Sequence, residues 1–554
     1  MPTGAELFAR SLRQLNIDTV FTLVGDHLNE VLLAIHAERI RVIDMRHESG
    51  VTHAADAWAR IHRKPAVALV TGGPGHTNSL TGIATAQLCA SPLIAVSGAP
   101  STMIAGRQVF QVIDQAEMAR PAVKWFADAV SPAQIPYLMG RAYNEANSGR
   151  KGAVHLSIPV NVFAAGSEQP LPMPPAAASA YGGPSREEVE QALGMLFTAE
   201  RPVVIAGSGA WWGHAEKELE RFIKTTRLPL YTVTLGRGIV SDDQKNVYGH
   251  ADPAINRAAL AAFREADVVL VLGKRIDYRL ALGGPRLFDP AAKIIQVDLH
   301  GPELGAARPV TLGICADVKA TLEAMLVLAG ERAWHPLASW GRKLRKLHSE
   351  YQDKLDTLAM DKAEPLHPAA VFSVLRDAYP KDTLYSWDGG DFVHWGRAMI
   401  PARIRGGWSR LGPMGTIGSA LPNSIAMQLA NPGKPVTLIT GDGSLGFYIA
   451  ELETLVRYKL PVVIVVGNDG GWGLERELQR EITGDLTVAC ELQHTRYDLV
   501  MKGFGGDGET VERLADLAPA VKRGFASGKP YLINVIVRGS RSPFTEWQIM
   551  GKKK

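Results

Sequence analysis

The sequence predicts an α/β protein built from three doubly wound parallel-sheet domains. Its 554 residues are too many for one hydrophobic core, so two or three domains are expected. Apolar strand patterns alternate repeatedly with helical patterns along the chain, as they do in parallel sheets. Glycines and polar residues gather where the predicted strands end, which is the edge at which open α/β sheets bind ligands.

The composition excludes several classes of protein. An apolar content of 46% and a charged content of 21% are ordinary for a globular chain. A net charge of +4 gives no indication of nucleic-acid binding, and no apolar run approaches the roughly 20 residues that span a bilayer. The three cysteines lie far apart, which indicates a reducing compartment. We therefore expect a cytoplasmic protein that binds neither nucleic acid nor membrane.

The first predicted domain, residues 1–165, has strands that end on short polar or glycine-rich loops. One strand leads directly into Glu48, which opens a helical pattern. Taken alone, Glu48 is typical of a first-turn glutamate that complements the helix dipole. Another strand runs into the segment T-G-G-P-G-H-T-N. Because open α/β sheets bind ligands at this edge, we expect a ligand near the strand ends that carry Gly25, His27, Glu48, Gly72, Pro74 and Asn78.

The middle of the chain is predicted to contain a second α/β domain between two linkers. Residues 166–185 are rich in proline, alanine and glycine, as in a linker. Residues 186–335 form a Rossmann-like central domain that lacks the G-x-G-x-x-G fingerprint, so we predict no dinucleotide site. Residues 336–366 form a charged helical connector.

The third domain, residues 367–540, carries the strongest functional pattern. Residues 436–473 read as a strand, a helix and a strand, with Asp442 and Asp469 at the strand ends. A right-handed crossover places these ends side by side, and carboxylate oxygens suit Mg²⁺ holding a diphosphate. An earlier strand ends on Gly390 and Asp391, a predicted cradle of backbone amides. The other residues expected here are Gly441, Gly443, Ser444, Trp472 and Gly473.

This stretch resembles the diphosphate and Mg²⁺ motif of thiamine-diphosphate enzymes, which begins with GDG and ends in a pair of asparagines. The resemblance implies thiamine diphosphate and Mg²⁺ as cofactors, with Asp442, Asp469 and the carbonyl of Gly471 as metal ligands. Asp469 departs from the family pattern, where asparagine is usual, and makes the site one charge more negative. The same resemblance implies a pyrimidine-binding first domain and a diphosphate-binding third domain.

The resemblance also implies roles for single residues. Glu48, in R-H-E, matches the glutamate that hydrogen-bonds N1′ of the aminopyrimidine and activates the cofactor. In L-G-P-M-G-T-I-G-S-A-L-P, Ile417 matches the bulky residue that bends the cofactor, and the backbone of Gly415 grips the pyrimidine. His27 and Gln111 match active-site positions of carboligating relatives. Read without the family, His27 is equally a helix N-terminal residue, Gln111 a surface amide and Ile417 a core residue.

Other features concern the assembly and the substrate. In relatives the cofactor lies between two subunits, which implies a homodimer or homotetramer. The tail, residues 541–554, resembles the lid of relatives that handle coenzyme A; the alternative is a disordered tail. Basic segments that could contact coenzyme A could equally be solvated loops. The candidate residues are Lys274, Arg275, Arg403, Arg405 and Arg541.

Together these features resemble the 2-hydroxyacyl-CoA lyase and oxalyl-CoA decarboxylase group. They imply reversible cleavage of a 2-hydroxyacyl-CoA to an aldehyde or ketone plus formyl-CoA, with 2-hydroxyisobutyryl-CoA, which gives acetone, as the most specific expectation. Phe110 and Gln111 stand where oxalyl-CoA decarboxylases carry Tyr-Glu. Acetolactate synthase, benzaldehyde lyase, a decarboxylase or a non-catalytic protein of this fold remain alternatives. Gln493 and Glu491 are candidates for a substrate-facing loop, where glutamine orients but transfers no proton.

Overall fold

The computed structural model of the chain describes residues 1–104, 107, 109–177, 181–331, 334 and 337–552. Residues 105, 106 and 108, the linker residues 178–180, residues 332, 333, 335 and 336, and the tail residues 553 and 554 lie outside the described residues. The chain forms two compact units. The first contains residues 1–179, 411–433 and 446–462, and the second contains residues 180–410, 434–445 and 463–554.

The N-terminal domain contains a six-stranded parallel sheet in the order β2-β1-β3-β4-β6-β5. Its central strands are buried and rich in valine, leucine and isoleucine, because helices cover both faces of a parallel sheet. The strands are β1 Thr19–Thr22, β2 Arg41–Asp44, β3 Ala66–Val70, β4 Leu93–Ala99, β5 Trp125–Asp128 and β6 Val154–Pro159. The helices are α1 Gly4–Gln14, α2 Asn29–Ala37, α3 Glu48–His62, α4 Pro74–Leu88, α5 Gln115–Ala119, α6 Ile135–Asn147 and α7 Val160–Ala164.

The central domain repeats this architecture with the order β12-β11-β10-β7-β8-β9. Hydrophobic cores lie on both faces of its sheet. The strands are β7 Pro202–Ala206, β8 Leu230–Thr232, β9 Val247–His250, β10 Val268–Leu272, β11 Lys293–Asp298 and β12 Leu312–Cys315. The helices are α8 Arg186–Thr198, α9 Ser208–Trp212, α10 Glu216–Thr226, α11 Arg257–Glu265, α12 Val318–Ala329 and the connector α13 Ala338–Ala359.

The third parallel sheet has the order β14-β13-β15-β16-β18-β17. It places β15 and β16, the strands that precede Asp442 and Asp469, next to each other. The strands are β13 Leu384–Trp387, β14 Trp408–Arg410, β15 Val436–Gly441, β16 Val463–Asn468, β17 Asp507–Val511 and β18 Tyr531–Ile536. The helices are α14 Pro368–Ala378, α15 Asp391–Met399, α16 Ala420–Ala430, α17 Asp442–Gly446, α18 Glu451–Arg457, α19 Gly473–Thr483, α20 Tyr497–Gly503, α21 Leu514–Ala526 and α22 Pro543–Lys552.

Three six-stranded parallel sheets flanked by helices confirm the predicted fold class. The domain boundaries given above stay predictions. The sequence pattern did not single out edge strands such as β14 and β17, because they are short and carry polar residues. The tail residues 543–552 form a helix, so the alternative of a disordered tail is wrong for them. Within the described residues, no helix combines the length and apolar character that crossing a membrane requires.

Candidate active site

In the first unit, Glu48 is the first residue of α3 and lies directly after β2. The side chain of His47 caps the helix by accepting a hydrogen bond from the backbone N–H of Ser49 at 3.1 Å. Glu48 is half-buried, and its Oε2 accepts a hydrogen bond from Nδ2 of Asn78 at 3.0 Å. The structure therefore brings together two residues that were predicted from two different strand ends.

A buried glutamate that sequence reasoning missed lies beneath this segment. Glu451 begins α18, is fully buried, and accepts a hydrogen bond from the backbone N–H of Arg46 at 3.1 Å. A Cβ atom on Gly50 would lie 2.5 Å from its Oε1, so only glycine fits there without a shift. Burial raises the pKa of Glu451 to about 7, against hydrogen bonds from Thr454 and from backbone amides that lower it. No local signal distinguishes Glu451 from Glu453, which follows two residues later in the same helix.

Glu451 makes stability depend on pH. Its folded pKa lies above the ordinary value of 4.5, so its contribution is full below pH 4.5 and is lost as pH rises through about 7. The shift corresponds to about 3 kcal/mol. We expect Glu451→Gln to flatten the fall in melting temperature between pH 5 and 8. Glu453→Gln, on the same helix, is the control, and equal slopes in wild type and Glu451→Gln would contradict the assignment.

His27 is buried between the ends of β1 and β3. Its Nδ1 accepts a hydrogen bond from the backbone N–H of Gly72 at 3.1 Å and lies 3.0 Å from Oγ1 of Thr71. Burial lowers the pKa of His27, against the opposing charge of Asp26, and so favours the neutral ring. Because Nδ1 accepts a hydrogen bond from Gly72, the proton of the neutral ring lies on Nε2. His27 is therefore arranged as a hydrogen-bond donor through Nε2.

Gln111 packs against Gly73 with a strained backbone. Its φ of 60° lies in the left-handed region, which is costly for a residue other than glycine and is often found at functional sites. A Cβ atom on Gly73 would lie 2.8 Å from Cβ of Gln111. Oε1 of Gln111 is buried and has no hydrogen-bond partner among the described residues. Gln115, which sequence reasoning missed, fixes the loop by accepting from Gly73 N at 3.2 Å.

The remaining predicted residues of this unit lie on loops and helix ends. Gly25 packs tightly on Thr71, because a Cβ atom added to Gly25 would lie only 2.5 Å from the Cβ of Thr71. Pro74 is the first residue of α4. Gly415 has a φ of 71° and open space beside it, and Ile417 is half-buried. Their segment leads into α16, which packs on α3. The expected contacts of Gly415 and Ile417 with a cofactor stay predictions.

In the second unit, Asp442 and Asp469 lie at the carboxyl ends of neighbouring strands. Asp442 accepts hydrogen bonds from the backbone N–H groups of Gly443 at 2.9 Å and Gly471 at 3.0 Å. Burial raises the pKa of both carboxyls, and the charge of Asp442 helps to bring that of Asp469 to about 7. No group of three or more His, Cys, Asp or Glu side chains arranged for a metal occurs in the described ranges. The predicted Mg²⁺ site therefore depends on two carboxylates and the Gly471 carbonyl.

Arg476, which sequence reasoning missed, offsets the extra negative charge of Asp469. It is 7% exposed, and its Nη1 lies 3.2 Å from Oδ2 of Asp469. The same guanidinium forms a two-point ion pair with Glu491, at 3.1 and 3.0 Å. Glu491 is thus paired with Arg476. Gln493, on the same loop, is exposed. The substitution of aspartate for the usual asparagine is accompanied by a cation that neutralises it.

Glycines bring backbone and ring atoms close around this carboxylate pair. A Cβ atom on Gly443 would lie 2.7 Å from the ring of Trp472, and one on Gly473 would lie 2.6 Å from Oδ2 of Asp469. Ser444 is buried, and Gly441 ends β15. The predicted residues thus cluster at one edge of the third sheet.

Asp391 holds the C-terminal segment at the amino end of α15. Its Oδ1 accepts hydrogen bonds from the backbone N–H of Ser542 at 3.2 Å and from the hydroxyl of Thr545 at 2.5 Å. Burial raises its pKa to about 6, and its Oδ2 has no hydrogen-bond partner in the described part of the chain. Gly390, which precedes Asp391, has a φ of 94° in the left-handed region that favours glycine. The cradle of backbone amides predicted at this turn stays a prediction. Arg541 pairs with two glutamates of α19.

The predicted coenzyme A contacts already have protein partners. Lys274 is buried, and its Nζ lies 2.6 Å from both Oδ2 of Asp277 and the carbonyl of Arg275. Burial lowers the pKa of Lys274 to about 8. Arg403 pairs with Asp243 at 2.7 Å, and Arg405 pairs with Glu220 at 2.6 Å. Their roles toward a substrate stay predictions.

The residues present fit the cofactor that the sequence resemblance implies. The first unit offers a carboxylate at a helix start and an unpartnered buried amide oxygen, Gln111 Oε1. The second unit offers hard oxygen donors at adjacent strand ends beside a glycine-lined turn. Such donors suit Mg²⁺ and a diphosphate.

Comparison with known proteins agrees with this geometry. Residues 2–118 match the “Thiamine pyrophosphate enzyme, N-terminal TPP binding domain”, residues 189–325 the “central domain”, and residues 388–535 the “C-terminal TPP binding domain”. The chain is 36% identical over 534 residues to “Probable acetolactate synthase” of Mycobacterium bovis, with 96% of this chain and 95% of the relative covered.

Two further relatives carry names linked to coenzyme A. “Oxalyl-CoA decarboxylase” of Escherichia coli is 29% identical over 549 residues, with 97% of this chain and 95% of the relative covered. “2-hydroxyacyl-CoA lyase” of Arabidopsis thaliana is 30% identical over 566 residues, with 96% and 95% covered. With all three domains matched and full-length similarity to these relatives, the chain belongs to the thiamine pyrophosphate enzymes.

Proposed function

We propose that this enzyme is a carbon–carbon lyase that cleaves a 2-hydroxyacyl-CoA to an aldehyde or ketone plus formyl-CoA, in a reversible reaction. The observation that carries the proposal is the ordered C-terminal helix α22, anchored through Asp391 at the start of α15. Full-length similarity to proteins named 2-hydroxyacyl-CoA lyase and oxalyl-CoA decarboxylase supports it. The most specific substrate we propose is 2-hydroxyisobutyryl-CoA, which would give acetone.

The roles of the chain's own residues follow from their surroundings. When bound, thiamine diphosphate supplies a carbon nucleophile for carbonyl chemistry. Asp442, Asp469 and the carbonyl of Gly471 would hold the Mg²⁺ ion of the diphosphate. Glu48 would share a proton with the pyrimidine ring, and the hydrogen bond from Asn78 orients its carboxylate.

His27 and Gln111 would face the reacting carbonyl. A neutral His27 with its proton on Nε2 can donate a hydrogen bond to a substrate oxygen. To accept the proton of the substrate hydroxyl at Nε2, His27 would need the other neutral tautomer, with its ring proton on Nδ1. Gln111 can accept or donate a hydrogen bond but cannot move a proton at neutral pH.

The proposed reaction is tested with purified protein, thiamine diphosphate and Mg²⁺. We expect formation of acetone and formyl-CoA from 2-hydroxyisobutyryl-CoA, measured by liquid chromatography and mass spectrometry. A set of 2-hydroxyacyl-CoA thioesters of different side chains would define the substrate range. Absence of cleavage of every thioester in that set would overturn the proposal.

Acetolactate synthase is the second candidate, favoured by the 36% identity to a protein of that name. It differs in a measurable product, because pyruvate would be converted to acetolactate without any need for coenzyme A. Acetolactate formation without thioester cleavage would replace our proposal by this one. Cofactor binding with neither activity would leave benzaldehyde lyase, a decarboxylase and a non-catalytic protein as the alternatives.

We propose that the tail, residues 541–554, closes over a bound thioester. Arg286 stacks on Trp547 at 3.7 Å and donates to its carbonyl, so α22 is held by several contacts. Deleting residues 541–554 should raise KM for the thioester and should let water reach the reaction intermediate. A chain ending at residue 552 is the control. If the variant that lacks residues 541–554 has the same kcat and KM as wild type, the tail does not act as a lid.

The assembly also belongs to the proposal. We propose a homodimer or homotetramer with the cofactor between subunits, which light scattering of the purified protein would test. A monomer with full activity would contradict it. The cytoplasmic location predicted above remains a prediction.

A further inference from the structure

A cavity of about 300 Å³ lies in the second unit, lined by residues of β9, α13 and α15. None of the residues that line it belongs to the candidate active site. Its wall combines arginine, histidine, tyrosine and asparagine side chains with apolar side chains and one carboxylate, Asp242. The lining residues used below are Arg237, His250, Gln352, Arg376 and Arg397.

Arg397 is a fully buried cation on the wall of this cavity. It is 2% exposed. Its Nη1 lies 3.0 Å from Nδ1 of His394 and its Nη2 lies 3.1 Å from Nε2 of His250. Burial and the surrounding arginines lower the pKa of both histidines, so neither carries charge at neutral pH. Its two side-chain partners are therefore neutral, and Arg397 Nε has no hydrogen-bond partner among the described residues.

The nearby carboxylates form ion pairs with arginines other than Arg397. Asp252 pairs with Arg279 at 2.9 Å, and Asp356 pairs with Arg376 at 3.2 Å. Asp242 forms a two-point ion pair with Arg237, whose Nε has no partner within the described ranges. Burial and, after it, the charges of neighbouring arginines lower the pKa of Arg397. Among the described residues, no carboxylate lies within hydrogen-bond distance of the Arg397 guanidinium.

A buried guanidinium that only neutral groups contact is costly, because the protein interior solvates charge poorly. An oxyanion in the cavity would supply the missing negative charge beside Arg397. Guanidinium groups match the tetrahedral oxygens of phosphate in shape and charge. The cavity volume is several times the roughly 30 Å³ share of one water, so it has room for such an ion.

We propose that this cavity is a binding site for a phosphate-type oxyanion, either free phosphate or the phosphate end of a small metabolite. Arg397, which lines the cavity, would face the ion. The inference does not depend on which reaction the enzyme catalyses. It depends on one buried arginine of the wall, Arg397, whose two side-chain neighbours are neutral histidines.

The test is calorimetric titration with inorganic phosphate at constant ionic strength. The protein is first saturated with thiamine diphosphate and Mg²⁺, so that the predicted diphosphate site is filled. We expect saturable binding that Arg397→Met abolishes. AMP added as a competitor separates the two sources: displacement of phosphate indicates a nucleotide-type phosphate end, and no displacement indicates the free ion.

A second variant keeps the proposal testable if Arg397→Met does not fold. Gln352 lines the cavity and is half-buried, so Gln352→Glu adds a negative charge to its wall with little change of shape. We expect this variant to weaken phosphate binding at least tenfold. Ser349→Glu, an exposed position on the same helix outside the cavity, should bind as wild type does. Absence of saturable phosphate binding in wild type, or equal affinity in Gln352→Glu, would overturn the proposal.

Discussion

Glu48→Gln is expected to lower kcat at least a hundredfold while the protein still binds its cofactor. Only an ionisable carboxylate can share a proton with the pyrimidine ring, and an amide of the same shape cannot. Glutamine can still accept the hydrogen bond from Asn78, so the loop between β2 and α3 should keep its structure. A hundredfold loss corresponds to roughly 2.7 kcal/mol of transition-state stabilisation.

Steady-state kinetics and cofactor titration check this expectation together. Glu38→Gln, at the carboxyl end of α2 and away from the site, makes the same chemical change and should leave kcat unaltered. Retention of more than about a tenth of kcat in Glu48→Gln, a loss of under roughly 1.4 kcal/mol, would reject Glu48 as the activating residue.

Arg476→Met is expected to raise the apparent Kd for thiamine diphosphate at least tenfold at a fixed Mg²⁺ concentration. Without the guanidinium, Asp469 and Glu491 lose their cation, and the predicted diphosphate site gains a net negative charge. Uncompensated buried charge is costly, and negative charge repels a diphosphate. The effect should be electrostatic and not a general loss of fold.

A double-mutant cycle separates these explanations. Asp469→Asn keeps a side-chain oxygen for the metal and removes the charge that Arg476 neutralises. We therefore expect Asp469→Asn alone to bind as wild type does, and Asp469→Asn with Arg476→Met to bind the cofactor within about threefold of wild type, a coupling of about 0.7 kcal/mol or more. Arg480→Met, on the same helix and paired with Glu477, is the control. Additive losses in the double variant, measured by calorimetry, would reject the coupling.

The fold class and the residues at the strand ends could be predicted from local patterns. A buried strand followed by a polar turn and a helix is encoded within about 20 neighbouring residues, so periodicity shows it. Because parallel topology brings the carboxyl ends of strands to one edge, spacing alone indicated that Asp442 and Asp469 would be neighbours. Glu48 at the start of α3 follows from the same reasoning.

The charge partners could not be predicted in this way. Glu451 lies about 400 positions from the backbone amide of Arg46 that it accepts from, and no local pattern links them. Similarly, Asp391 binds the tail across about 150 positions. Edge strands such as β14 were also missed, because a short strand at a sheet edge carries little apolar signal.

The sequence by itself determined three wound sheets, a cofactor family and the strand ends at which the cofactor residues stand. The tertiary structure decided which charges are neutralised: Arg476 offsets Asp469, whereas Arg397, on a cavity wall, contacts two neutral histidines. The physical reason is that secondary structure depends on neighbours along the chain. The pKa and the partner of a buried charge depend instead on groups that only folding brings within a few ångströms.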